Sequence, residues 1–221
     1  MPRHVVLFGD SIFDNAAYID GGPDVAAQLR ALLDPDDRVT LKAVDGSISE
    51  QVERHLFDCP NDATHVVISS GGNDILHHAA LLDQPCETMA AAMAKLGDAR
   101  GQFEPAHSSL VDAAALLDAC VAICTIYDAN MGPQIATAMS IFNDAITRHV
   151  HRAGLDLIDL RVVCNEAADY ANPIEPSVLG GAKIAASIAG YVRTVESQAE
   201  QTRVFARYSR AELVFPKESL V

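Results

Sequence analysis

Val5-Val6-Leu7-Phe8-Gly9-Asp10-Ser11-Ile12 opens the chain with an apolar run that stops abruptly at a glycine, an acid and a hydroxyl. Four consecutive apolar side chains without polar alternation read as a strand buried on both faces, the condition of a parallel sheet covered by helices. Similar runs recur at Val39–Val44, His65–Ser69, Val121–Tyr127 and Leu155–Leu160. Between and after them, Asp24–Leu33, Ile48–Phe57, a long stretch from about Thr88 to Ala119, Pro133–Ala153 and Ser177–Ala199 carry apolar residues at helical spacing. Strands that alternate with helices predict crossover connections, and hence a three-layer, doubly wound α/β fold around a parallel sheet of about five strands. Gly97, Gly101 and Pro105 disfavour a helix interior, so the long stretch is expected to break into two helices.

The chain has 221 residues, a length that suits one α/β domain, here placed at residues 1–200. The last segment, 201–221, loses the periodicity and turns mildly basic, with Arg203, Arg207, Arg210 and Lys217 against Glu212 and Glu218. It reads as a tail that lies over the domain or reaches a neighbouring subunit in a homo-oligomer. Apolar residues make up 49% and charged residues 21%, enough for a substantial core. Thirty acidic against sixteen basic side chains give a formal charge of −14, which argues against a nucleic-acid partner because phosphate backbones call for positive surface. No signal-peptide pattern and no apolar run of membrane-spanning length occur, so the expected compartment is the cytoplasm. Five cysteines at 59, 86, 120, 124 and 164 form neither a disulfide framework nor a paired metal site. His149 and His151, two apart on a predicted helix, point to different faces, and no metal is expected there.

In an open parallel sheet, ligands bind beyond the carboxyl ends of the strands. Ser11 follows the first predicted strand and Gly46 the second. Asn73, in Gly71-Gly72-Asn73-Asp74, follows the third, and Asn172-Pro173-Ile174-Glu175-Pro176 follows the fifth. Each also has a plain structural role open to it. Ser11 with Asp14 fits a helix capping box, Asn73 a turn, Asp74 an N-cap, and Glu175 favourable charge at the start of the last helix.

Taken together, these blocks resemble the SGNH, or GDSL-type, serine hydrolases, which combine a Gly-Asp-Ser block, a lone glycine, a Gly-x-Asn-Asp block and a late Asp-x-x-His block. The resemblance spans about residues 4–195 and implies a flavodoxin-like hydrolase fold with no cofactor. It implies that Ser11 is a nucleophile attacking a small-molecule ester or related acyl bond to form an acyl-enzyme. The oxyanion hole would then comprise the backbone N–H groups of Ser11 and Gly46 with the Asn73 carboxamide. Asp10 and Asn172, beside these groups, are the expected substrate-binding residues.

The late block departs from the family pattern, with Asn172 and Glu175 standing where an aspartate and a histidine would. One reading makes Glu175 the general base, with Asn172 neutral because a second carboxylate would repel it. A carboxylate base works near neutrality only if burial raises its pKa. Another reading takes the base from His77 or His78, the histidines nearest Asn73 in sequence, with His78 the better candidate. Three outcomes stay open: a hydrolase, an acyltransferase using the same acyl-enzyme, and a catalytically impaired acyl- or carbohydrate-binding module.

Overall fold

A computed structural model of the chain describes residues 2–197 and 202–206. Its centre is a six-stranded, all-parallel sheet in the order β2-β1-β3-β4-β5-β6. The strands are β1 (His4–Phe8), β2 (Arg38–Leu41), β3 (His65–Ile68), β4 (Cys120–Cys124), β5 (Asp156–Ile158) and β6 (Val204–Phe205). The helices are α1 (Val25–Leu32), α2 (Ser49–His55), α3 (Gly72–Leu76), α4 (Met89–Ala114), α5 (Pro133–Ala153), α6 (Leu160–Val163) and α7 (Val178–Thr194).

Alternation along the strands divides the core in two. Val5 and Leu7 of β1 pack with Val25, Leu29, Ile184 and Ile188 under α1 and α7. Val6 and Phe8 point the other way, to Val52, Phe103, Leu110, Phe142 and Ile146 under α2, α4 and α5. Both faces of β1 are therefore buried, which is why its sequence shows no polar alternation. The three-layer, doubly wound architecture expected from the sequence is present.

Two details differ from the sequence expectation. The long stretch does not break: α4 runs through Gly97, Gly101 and Pro105 as one helix of 26 residues. Ala99, Phe103, His107, Leu110, Val111 and Ala114 form a buried stripe along it. Burying a side chain such as Phe103 or Leu110 stabilises by about 1.5–3 kcal/mol each, so the stripe together offsets a proline cost of about 3 kcal/mol. The sheet also has a sixth strand, drawn from the segment assigned to the tail. Arg203 holds it against β5: its backbone N–H and Nε donate to Asp156 Oδ1, both at 2.9 Å, and its guanidinium reaches Asp156 Oδ2 at 2.8 Å. The rest of the tail, 207–221, lies outside the described residues.

Candidate active site

The strand order reverses direction between β1 and β3, since the chain leaves β1 toward β2 and then crosses to the other side. Loops diverge at such a switch point and open a crevice beyond the strand ends. Gly9 lets the two exits touch. Its φ is +139°, and a Cβ there would lie 2.1 Å from the Ser69 carbonyl oxygen, so no other residue fits. Ser11 and the Gly71–Asp74 turn are thereby brought to one place. Just before Ser11, Asp10 Oδ1 accepts from Ser69 Oγ at 3.1 Å and Ile12 N at 3.2 Å. Burial pushes the Asp10 carboxyl from 3.8 up to about 7; those hydrogen bonds oppose the shift and the nearby Glu175 charge adds to it.

Ser11 does not serve in a capping box with Asp14. That carboxylate accepts instead from Asp45 N at 3.0 Å, tying the Gly46 loop to the Ser11 loop. Ser11 is 7% exposed and its hydroxyl lies close enough to Glu175 to favour the ionised carboxyl. Burial raises the Glu175 pKa, the Ser11 hydroxyl works against that rise, and Asp45 reinforces it. Glu175 Oε2 is buried and has no hydrogen-bond partner among the described residues. A buried carboxylate oxygen with no partner, close to the Ser11 hydroxyl, is suited to accepting a proton.

The Glu175 loop is held from several sides. Asn172 Oδ1 accepts from Ile174 N at 2.9 Å and Glu175 N at 2.8 Å. Tyr127 donates its hydroxyl to Ile174 O at 2.5 Å, and Asn15 Nδ2 donates to Pro176 O at 3.2 Å. Asn15 is fully buried and its Oδ1 accepts from Val25 N at the start of α1, so it links the Ser11 loop, α1 and the Glu175 loop. Neither Asn15 nor Tyr127 stood out in the sequence, because both act on backbone carbonyls far away along the chain. Asn172, expected to touch substrate, is a turn-forming residue whose oxygen is taken by its own loop, and it lies outside the cavity lining.

Asn73 Nδ2 donates to Ser47 O at 3.0 Å. That bond fixes the orientation of the carboxamide and leaves its second N–H available. Asp74 is a cap, as one reading had it, but for another helix: both its oxygens accept from Ser49 N at the start of α2, at 3.2 and 3.0 Å. Gly46 lies in an exposed loop with φ of +77°, outside the cavity lining. Asp10, Ser11, Asn73, His78 and Glu175 all line a single cavity. Within it His78 stacks on Phe142, with ring centroids 6.5 Å apart, while the carboxyl that the serine hydroxyl influences is that of Glu175.

The family profile of the GDSL-like lipases and acylhydrolases matches residues 7–183, a span that contains every residue of this constellation. The chain belongs to that family. GDSL-like structures share its fold at low sequence identity. The extracellular lipase of Streptomyces rimosus is 16% identical and superimposes with a TM-score of 0.60 over 89% of this chain and 100% of the lipase. The acetylxylan esterase Axe2 of Geobacillus stearothermophilus is also 16% identical, with a TM-score of 0.63 over 89% of this chain and 97% of Axe2. A member of the lipolytic G-D-S-L family from Veillonella parvula is 14% identical, with a TM-score of 0.66 over 87% and 100%. A search of the curated proteins found no match. Among the described residues, no helix is long and apolar enough to cross a membrane.

Proposed function

We propose that this GDSL-like protein is a serine hydrolase that cleaves a carboxylic ester through an acyl-enzyme on Ser11, with Glu175 as general base. The observation that carries this reading is the convergence of Ser11, Asn73 and Glu175 on one cavity, with the Ser11 hydroxyl close enough to Glu175 to favour the ionised carboxyl. Glu175 takes the hydroxyl proton as Ser11 Oγ attacks the carbonyl carbon. The resulting oxyanion is met by the second Asn73 N–H together with the backbone N–H of Ser11, while Gly46, outside the cavity lining, is left without a part in this step. The protonated Glu175 then returns its proton to the departing alkoxide, and repeats the cycle with a water that releases the acid.

Support for Glu175 over His78 as the base rests on the influence of the Ser11 hydroxyl on its carboxyl, the buried Oε2 without a partner and the upward pKa. A fluorophosphonate that labels Ser11, located by mass mapping, tests the nucleophile; absence of an adduct favours a binding module. With labelling established, alcohols added to a turnover assay distinguish acyl transfer from hydrolysis. Parallel pH profiles of kcat/KM for Glu175→Gln and His78→Ala then assign the base, because only loss of the true base removes the acid limb.

A further inference from the structure

The cavity continues past the polar end at Ser11, Asn73 and Glu175, and its walls change character. Ala99, Met139 and Phe142, all buried, form its inner wall, from the flank of α4 and α5. Leu76, Leu82 and Met131 also line it while remaining 40%, 43% and 41% exposed, so they mark its mouth. No lysine or arginine lines the cavity among the described residues. Of the polar groups present, the Tyr127 hydroxyl is committed to Ile174 O and Asp10 Oδ1 to Ser69 and Ile12. Beyond the reacting end, His78 is therefore the one polar side chain left to a bound molecule. About 100 Å³ of the slot is open to water-sized groups.

We infer that this slot receives an unbranched aliphatic acyl chain, making the preferred substrates esters of longer fatty acids rather than acetyl esters of carbohydrates. The inference rests on the serine hydrolase reading for its kinetic test and on the slot alone for its binding test. Sugar hydroxyls carried into such walls would lose their water partners and find almost no replacements. Methylene groups, by contrast, exchange water for close apolar contact along the whole length. Chain length is then read by the walls, while Ser11 and its neighbours meet the carboxyl group common to all esters.

The test compares p-nitrophenyl acetate, butyrate, hexanoate and octanoate, with the branched pivalate as a shape control. Each methylene entering the slot is expected to raise kcat/KM roughly fourfold until the slot is full, and pivalate to fall below butyrate. Ala138→Leu, which fills the slot from α5, is expected to collapse the hexanoate-to-acetate ratio by on the order of tenfold or more. Ala79→Leu does the same from a more exposed position and covers the case in which Ala138→Leu fails to fold. Activity that is flat or falls with chain length in the wild type, or a ratio untouched by both variants, overturns the inference.

If no ester is turned over and no phosphonate labels Ser11, the hydrolase reading fails and the slot is judged by binding. Ser11→Ala protein is titrated with hexanamide and acetamide by ligand-observed NMR. Tighter binding of hexanamide, abolished by Ala79→Leu, supports an acyl slot, and equal affinities overturn it.

Discussion

Replacing Asp10 by asparagine tests the electrostatics of the candidate site through stability, independently of any substrate. The Asp10 carboxyl is fully buried, and burial holds its pKa at about 7 against an ordinary 3.8. The folded state therefore keeps a proton that the unfolded chain releases, and protonated Asp10 favours folding at low pH. Its contribution is intact below about pH 4, declines as pH rises through the interval, and is gone above about 7. The interval between 3.8 and about 7 corresponds to roughly 4 kcal/mol, since one pKa unit is about 1.4 kcal/mol. Asparagine reproduces the neutral acid in shape, and its Oδ1 can still accept from Ser69 Oγ and Ile12 N. The difference in unfolding free energy between Asp10→Asn and wild type, measured by urea titration at half-unit steps from pH 4 to 8, should thus shift by about 4 kcal/mol in favour of the variant and level off above pH 7. A difference that stays constant across this range refutes a buried, proton-retaining Asp10.

Asn73→Ala should lower kcat by on the order of 10²- to 10³-fold with little change in midpoint denaturation temperature, as expected for loss of one oxyanion donor. A retained rate on the best ester removes Asn73 from the mechanism. In Glu175→Gln the acid limb of the kcat/KM profile should vanish, whereas in wild type that limb should lie above the ordinary carboxylate range, because burial raises the Glu175 pKa. A wild-type limb near pH 4 would show that the carboxyl is not held in its buried form during turnover. Arg203→Ala strips the fully buried Asp156 of its guanidinium partner and should cost about 3 kcal/mol in a denaturant titration, with hydrogen exchange accelerating first along β5. Gly9→Ala forces a Cβ to 2.1 Å from Ser69 O at a φ of +139° and should destabilise by ~4 kcal/mol, whereas an alanine at the open position Gly101 should not; near-equal stabilities would contradict the tight β1–β3 junction.

Much of this architecture was legible because burial on both faces of a strand leaves an uninterrupted apolar run, as in Val5–Phe8, and because Gly-Asp-Ser and Gly-Gly-Asn-Asp sit at the ends of such runs. Helix α4 was misjudged because local propensity at Gly97, Gly101 and Pro105 speaks only for the isolated segment, while the stripe from Ala99 to Ala114 is stabilised by partners elsewhere in the chain. Strand β6 has two residues, too few for any periodicity, and is anchored by an ion pair to Asp156 forty-seven residues away. Residue type and position at strand ends pointed to Ser11, Asn73 and Glu175, which line one cavity. No such signal pointed to Asn15 or Tyr127, because a side chain that grips a distant carbonyl leaves no local pattern. Asn172 was given a ligand-binding role because a polar residue beside the late-block acid suggests one, but its oxygen closes the very turn that presents Glu175.

If Glu175 is the base, as proposed, its closeness to Ser11 bears on how charge moves during a turnover cycle. An imidazole base starts neutral and becomes a cation, so the tetrahedral species forms as an ion pair whose positive half helps hold the negative one. A carboxylate base starts as the anion and becomes neutral, and the single negative charge simply migrates across the crevice from residue 175 to the substrate oxygen. The total stays the same throughout, and no cation arises to share the burden. On that proposed mechanism peptide and carboxamide dipoles alone would cradle the migrating charge, and small displacements of those donors would weigh more heavily on rate than in a hydrolase with a histidine.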